Sequence, residues 1–221
     1  MKEVIAIDGY AATGKSSQAK NLAKYLNFIH IDSGAMYRAV TFFSLNNFFK
    51  KNQINIKKLI DNLDKIDVNF KILNNIQIIT INDENIRHKL RGIDVEHYVS
   101  EIASVPEVRS FLIKKQRQIA IKNNVVMDGR DIGTVVFPES KNKIFLTASP
   151  EIRAKRRYDQ IKSNNKNLSF SQVLKNVKVR DKNDESRKIS PLIPAFDAKI
   201  IDTSNYTKRE VFNKIILTLQ L

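Results

Sequence analysis

The sequence predicts an α/β fold, a five-stranded parallel sheet covered by helices and interrupted by a small antiparallel insert. Three observations lead there. Short apolar runs rich in β-branched residues alternate with segments of helical periodicity along most of the 221 residues. Between about residues 68 and 80 the period drops to two, which marks a hairpin inside the α/β pattern. Finally, Gly9-Tyr10-Ala11-Ala12-Thr13-Gly14-Lys15-Ser16 stands between the first strand and the first helix, where a glycine-bounded loop can wrap an anion.

Taken in order, Val4 to Asp8 reads as a buried parallel strand, and Ser17 to Leu26 as a helix with Ala19, Leu22, Ala23 and Leu26 on one face. Phe28 to Ile31 is a second strand, ending at Asp32-Ser33-Gly34-Ala35-Met36-Tyr37-Arg38. Ser33 is placed to cap a helix that carries Met36, Val40, Phe43 and Leu45 towards Phe49. A polar stretch from Lys50 to Asn55 precedes a short helical segment, Ile56 to Leu63. Val68, Phe70 and Ile72 alternate with polar residues, Asn74-Asn75 supplies a turn, and Ile76, Ile78 and Thr80 resume the alternation. A third short strand follows near Asn85 to Arg87, and the insert is placed at about residues 66–100, with an edge extension of the main sheet as the alternative.

Val95 to Ala103 and Glu107 to Lys122 read as helices, the second with Pro106 in its first turn. Val125 to Met127 delivers Asp128-Gly129-Arg130-Asp131. Lys143 to Leu146 is followed by Ser149-Pro150-Glu151, a cap-Pro-acid helix start, and Ile200-Ile201 by a helix from Lys208 to Leu219.

Composition bounds the function. With 42 % hydrophobic residues the chain can bury one substantial core, and no apolar run approaches the ~18–20 residues of a membrane span. The N-terminus enters a strand almost at once, so neither a secretory h-region nor a transit peptide is expected. Having no cysteine, the chain can form no disulfide, thiolate zinc site or cysteine nucleophile. A cytoplasmic monomer with no membrane partner is the expectation. The net charge of +15 invites a nucleic-acid partner, but the lysines are scattered, and neither an aromatic-plus-basic RNA signature nor a zinc finger occurs. No dedicated nucleic-acid partner is expected; part of the excess charge suits anionic nucleotides.

The loop carries the chemistry. Gly9 and Gly14 let the backbone approach an anion, and successive N–H groups with the positive end of the next helix point at phosphate oxygens. Lys15 can reach β- and γ-phosphates, and Ser16 is placed to ligate Mg²⁺. Parallel sheets bind ligands beyond the C-terminal ends of their strands. Here those ends are Gly9–Ser16, Asp32–Arg38, Asp128–Asp131 and Ser149–Arg157, each with a phosphate-competent group or a carboxylate. Asp128 could orient water on Mg²⁺ or cap its loop. His30, His88 and His97 have no ligand or triad spacing. A guanine-reading N-K-x-D is absent, because Asn142-Lys143, Asn165-Lys166 and Asn213-Lys214 all continue wrongly. That argues against a GTP switch.

Read together, I-A-I-D-G at 5–9, G-K-S at 14–16, D-S-G-A-M-Y-R at 32–38, D-G-R-D-I-G-T-V-V-F-P at 128–138, K-I-F-L-T-A-S-P at 143–150 and P-L-I-P-A at 191–195 resemble the bacterial cytidylate kinases, nucleoside monophosphate kinases of the P-loop group. The resemblance covers nearly the whole chain. It implies a P-loop kinase core over residues 1–65 and 101–221, a helical lid at about 150–167, and residues 66–100 as the inserted NMP-binding subdomain. The implied reaction transfers the γ-phosphoryl of ATP, with Mg²⁺, to CMP or dCMP.

The implied roles follow position by position. Gly9, Tyr10, Ala11, Ala12, Thr13, Gly14, Lys15, Ser16 and Ser17 would hold the donor, with Arg153 and Arg157 of the lid. Ser33, Arg38, Arg130 and Arg187 would hold the acceptor phosphate. Ser100, Arg109 and Asp131 would line the cytosine pocket, and Arg180 and Asp184 would approach the ribose. Lys15, Arg38, Arg130, Arg157 and Arg187 would act on the transferred phosphoryl group. Two features depart from the family pattern: Tyr10, where proline is frequent, and the loop centre Ala12-Thr13, where relatives carry a glycine.

Overall fold

The computed structural model describes residues 2–73, 76–162 and 168–221. Strand β1 (Val4–Gly9) is followed by α1 (Lys15–Leu26), β2 (Ile29–Asp32) and α2 (Ser33–Phe48). A two-residue hairpin, β3 (Phe49–Lys50) and β4 (Gln53–Ile54), leads to α3 (Ile56–Ile60) and a 3₁₀ turn at Leu63–Lys65. Next come β5 (Val68–Leu73), β6 (Ile76–Ile81), β7 (Glu84–Asn85), α4 (Ile93–Ile102) and α5 (Pro106–Lys122). The last third holds β8 (Val125–Gly129), a π-helical turn at Ile132–Val136, β9 (Asn142–Thr147), α6 (Pro150–Ile161), α7 (Phe170–Glu185), β10 (Lys199–Asp202) and α8 (Lys208–Leu219).

The five-stranded sheet runs β10-β9-β1-β8-β2, with β1 at its centre and parallel to both neighbours. All six residues of β1 are buried, as a central strand covered on both faces requires. Ile5, Ile7, Val126, Ile144, Leu146 and Ile201 turn one face of the sheet to Ala19, Leu22 and Ala23 of α1 and to Val211 and Ile215 of α8. The register pairs Asp8 with Gly129 and Gly9 with Leu146, bringing the C-terminal ends of three strands together.

The chain divides into two compact units, residues 1–31 with 119–221, and residues 32–118. In the second unit β5, β6 and β7 form their own antiparallel sheet, as the period of two predicts. The Asn74-Asn75 turn expected there lies outside the described residues, as do residues 163–167 at the end of the expected lid.

Four local readings change. The cap of α2 is Asp32, not Ser33: its Oδ1 accepts from the Ala35 N–H at 2.9 Å. The stretch Lys50–Asn55, read as polar linker, folds into the β3–β4 hairpin because Lys51 (φ 52°) and Asn52 (φ 59°) both adopt left-handed backbone. The helical segment read as running to Leu63 ends at Ile60. Helix α7 is an addition, started by a capping box in which Ser169 receives the Gln172 N–H and Gln172 answers the Ser169 N–H. It packs on α6 through Ala154, Val173 and Val177, with Tyr158, Ile161, Leu168 and Leu174 around them.

Candidate active site

The loop after β1 is held from both ends. A Cβ on Gly9 would stand 2.1 Å from the Leu146 carbonyl oxygen, so only glycine lets the loop leave β1 against β9. Gly14 has open space around it but a φ of 95°, and it is the N-cap of α1. Ala12, at the centre of the loop, sits at φ 61°, a conformation that costs an L-residue about 1–2 kcal/mol. Lys15 Nζ donates to the Tyr10 carbonyl at 3.1 Å, and Thr13 Oγ1 to the same oxygen at 2.9 Å. The lysine is thereby folded back over the loop, with Ser16 and Ser17 beside it in the first turn of α1. From behind, Thr203 Oγ1 lies 3.2 Å from the Thr13 carbonyl and receives Arg156 Nη1 at 2.9 Å.

Asp8, the last residue before the loop, is buried and grips the next strand's loop. Its Oδ1 accepts from the Ile132 N–H at 2.8 Å and its Oδ2 from the Gly133 N–H at 2.7 Å. Burial pushes its carboxyl up to about 7, while those N–H groups and Lys15 pull the other way. Asp128 ends β8 and meets His30 of β2, Nε2 to Oδ1 at 2.8 Å. Asp131 is buried at the head of the π-helical turn.

Beside these strand ends the same unit assembles an arginine cluster. Arg130 Nε donates to Asp184 Oδ2 at 2.9 Å, and Arg187 Nη2 donates to Asp184 Oδ1. Burial opposes ionisation of Asp184, but Arg130, Arg187 and Arg180 outweigh it and hold the carboxyl below its ordinary value. Arg180, Asp184 and Arg187 are therefore not loose surface ion pairs. Arg153, expected at the donor nucleotide, is buried within the protein: Nε donates to the Ala148 carbonyl at 2.8 Å, and Nη1 and Nη2 clasp Asp181 at 2.8 and 2.7 Å. Its guanidinium ties α6 to α7. Arg157, one turn further along α6, is half-buried.

The other unit carries a second set. Arg38 Nη2 donates to Asp32 Oδ2 at 2.9 Å, while its buried Nε has no hydrogen-bond partner among the described residues. A buried donor of this kind is an opening for an anion. Ser33 is buried in the first turn of α2 and Ser100 half-buried on α4. Arg109 of α5 is buried, donates to the Ala103 carbonyl at 3.0 Å, and stands 5.4 Å from the Tyr37 ring.

Sequence reasoning set His30 aside for want of ligand or triad spacing, whereas it pairs with Asp128, and it did not single out Asp181, Glu185 or Thr203, nor the side chain of Asp8. The i, i+3, i+4 spacing of Asp181, Asp184 and Glu185 was the one available signal, once α7 is recognised as a helix.

A strand, a loop with Gly9 pressed on the sheet, and Lys15 opening a helix define a P-loop nucleotide-binding protein of the α/β class. Comparison with known proteins narrows this. The family model described as cytidylate kinase matches residues 5–221. A cytidylate kinase of Flavobacterium psychrophilum is 47 % identical over 223 residues, covering 99 % of this chain and 98 % of the relative. One from Caldicellulosiruptor saccharolyticus is 43 % identical over 217 residues, covering 98 % and 95 %. An uncharacterized protein from Eubacterium ventriosum of solved structure shares the fold at TM-score 0.56 and 16 % identity, covering 100 % of this chain and 99 % of that one. The chain belongs to the cytidylate kinase family, and it is a kinase.

Proposed function

We propose that the chain transfers the γ-phosphoryl group of ATP to CMP or dCMP, giving ADP and the pyrimidine nucleoside diphosphate. The observation that carries this reading is the pairing of a phosphate loop, Gly9–Ser16, with a half-buried arginine cluster organised by the buried Asp184 in the same unit. Phosphoryl transfer needs little covalent chemistry; it needs two anions held in line and the charge on the transferred oxygens neutralised.

The loop N–H groups of Gly9 to Ser17 take the donor phosphates, and Lys15 exchanges the Tyr10 carbonyl for phosphate oxygens. Arg130, Arg187, Ser33 and Arg38 are assigned to the acceptor phosphate. Guanidinium groups suit this because they stay charged and present planar forks to phosphate. Arg157 faces the donor phosphates from α6, with Arg153 supporting α6 against α7. Asp131 accepts from the cytosine 4-amino group, aided by Arg109 and Ser100. Uracil would turn a carbonyl towards that carboxylate, a mismatch worth up to about 10⁴-fold. Arg180 and Asp184 serve the ribose.

Mg²⁺ fits the donor set. The Ser16 hydroxyl is a hard oxygen ligand at the start of α1, of the kind that joins phosphate oxygens and water around this ion. When bound it neutralises charge on the β- and γ-oxygens. Residues 66–100, with their separate antiparallel sheet, are assigned as the NMP-binding insert, and the α6 region as the lid. Both sets of groups come from one chain, so a monomer suffices, and the cytoplasm supplies the substrates. No helix among the described residues is long and apolar enough to cross a membrane.

The test is turnover with ATP and Mg²⁺ against CMP, dCMP, UMP and AMP. CMP and dCMP should lead. Equal or better turnover of UMP or AMP would remove the cytosine assignment.

A further inference from the structure

We propose that the Tyr10 side chain is a positioning residue for phosphoryl transfer, fixing the phosphate loop to the end of α7 that organises the Arg130–Asp184–Arg187 cluster. The inference rests on the reading of Arg130 and Arg187 as acceptor-phosphate groups.

Tyr10 touches the machinery with each of its parts. Its carbonyl holds Lys15 and Thr13 within the loop. Its ring lies 4.8 Å from the Arg153 guanidinium, edge-on to Phe145 at a centroid distance of 5.8 Å. Its hydroxyl donates to Glu185 Oε1 at 2.7 Å, a neutral donor to a carboxylate and so one of the stronger classes of hydrogen bond. Burial, then Glu185 itself, pushes the phenol up to about 12, so the donor proton stays in place across the working pH range.

Glu185 is not an isolated acceptor. Asp181, Asp184 and Glu185 share one face of α7 at i, i+3 and i+4, and each carboxylate has a different task. Asp181 clasps Arg153, Asp184 gathers Arg130 and Arg187, and Glu185 takes Tyr10. Three carboxylates on one face would repel unless each were met. Tyr10 meets one of them without adding charge, and links the donor loop to the residue next to Asp184. In-line transfer tolerates little error, since a misplacement of about 1 Å can cost 10²-fold in rate. A bond that sets the loop against the cluster is therefore felt in the chemical step.

Tyr10→Phe keeps the ring on Arg153 and Phe145 and removes one oxygen. With ATP and CMP we expect kcat to fall about tenfold and KM for CMP to rise severalfold, with KM for ATP within about threefold. Glu185→Ala should match it, and the double variant should be no worse than either single one. Glu185→Gln, which keeps an acceptor oxygen, should recover to within about threefold of the unaltered enzyme. Kinetic constants within about twofold for Tyr10→Phe, or single losses that multiply in the double variant, would overturn the proposal. So would a lowered melting temperature with unchanged kcat, the mark of a merely structural bond. Arg187→Ala separates the two levels. If it loses CMP affinity while Tyr10→Phe is silent, the inference falls and the site reading stands. If it leaves KM for CMP unchanged, the acceptor-phosphate reading falls and takes the inference with it.

Discussion

Arg130 Nε reaches Asp184 Oδ2 at 2.9 Å, and the carboxylate that receives it is only 2 % exposed. Arg187 takes the other oxygen. Removing the carboxylate would leave two guanidinium groups crowded and unpaired beside a strand end. Breaking a buried pair this way costs about 3–5 kcal/mol. Asp184→Ala should therefore lower the urea midpoint strongly and raise KM for CMP more than KM for ATP. Because the folded carboxyl lies below its ordinary 3.8, its stabilisation is present above that value and is lost as pH falls through the lower, folded value. Acid unfolding should accordingly begin at higher pH wherever Asp184 has been weakened, as by Arg187→Ala.

Asp8 carries the opposite sign. Its folded carboxyl is pushed up to about 7 from 3.8, so between those values the folded chain holds a proton that the unfolded chain has released. Its contribution is full below 3.8 and is lost as pH rises through 7. Urea unfolding of the unaltered protein should lose about 2–4 kcal/mol more between pH 4 and 8 than Asp8→Asn does. The variant starts lower, because an amide can accept from only one of the Ile132 and Gly133 N–H groups. Parallel pH slopes for the two proteins would contradict this account.

Gly9 and Gly14 look equivalent in the motif and differ in the structure. A Cβ at Gly9 meets a backbone oxygen at 2.1 Å and cannot be relieved by a side-chain shift. Gly9→Ala should cost about 3–5 kcal/mol, in the range of overpacking joined to backbone strain, and abolish ATP binding. At Gly14 a Cβ meets nothing within 4 Å, so Gly14→Ala pays only for its φ of 95°, about 1–2 kcal/mol. Thermal melts of both variants, with ATP titrations, would separate the steric from the conformational role.

What was legible follows the range of the forces involved. The parallel strands and the β5–β6 hairpin declare themselves by local periodicity, and Ser149 caps α6 where Ser-Pro-Glu says it should. Helix α7 escaped because its buried face is apolar only at Val173 and Val177 and continues as the carboxylates Asp181 and Asp184, although Ser169 and Gln172 spell its start. The contacts that set the site are long-range. His30 meets Asp128 across 98 residues, Asp8 meets Gly133 across 125, and Tyr10 meets Glu185 across 175. No window of sequence holds both partners, so motif reading found the loop and the arginines but not what aims them. Arg153 shows the converse: a basic run suggested a phosphate ligand, and Asp181, 28 residues away, claims the guanidinium.

Base recognition and phosphate positioning should separate by mutation. Asp131 is buried at the head of the turn after β8, while Arg38 keeps a buried Nε without a hydrogen-bond partner among the described residues. Asp131→Asn replaces an acceptor-only group with one that can also donate, so the CMP-to-UMP ratio of kcat/KM should fall by about 10²-fold, with kcat changed less. Arg38→Ala removes the fork from the acceptor phosphate, which CMP and UMP share. It should lower kcat/KM by about 10²-fold for both and leave their ratio within about threefold, because a lost phosphate contact is blind to the base. Arg38→Lys should recover only part, since an ammonium keeps the charge but not the planar pair of donors. Steady-state kinetics of the three variants on both acceptors checks this. If Asp131→Asn and Arg38→Ala lose the same factor on CMP and on UMP, the two groups do not divide base from phosphate as argued, and Asp131 acts instead on a feature common to both nucleotides.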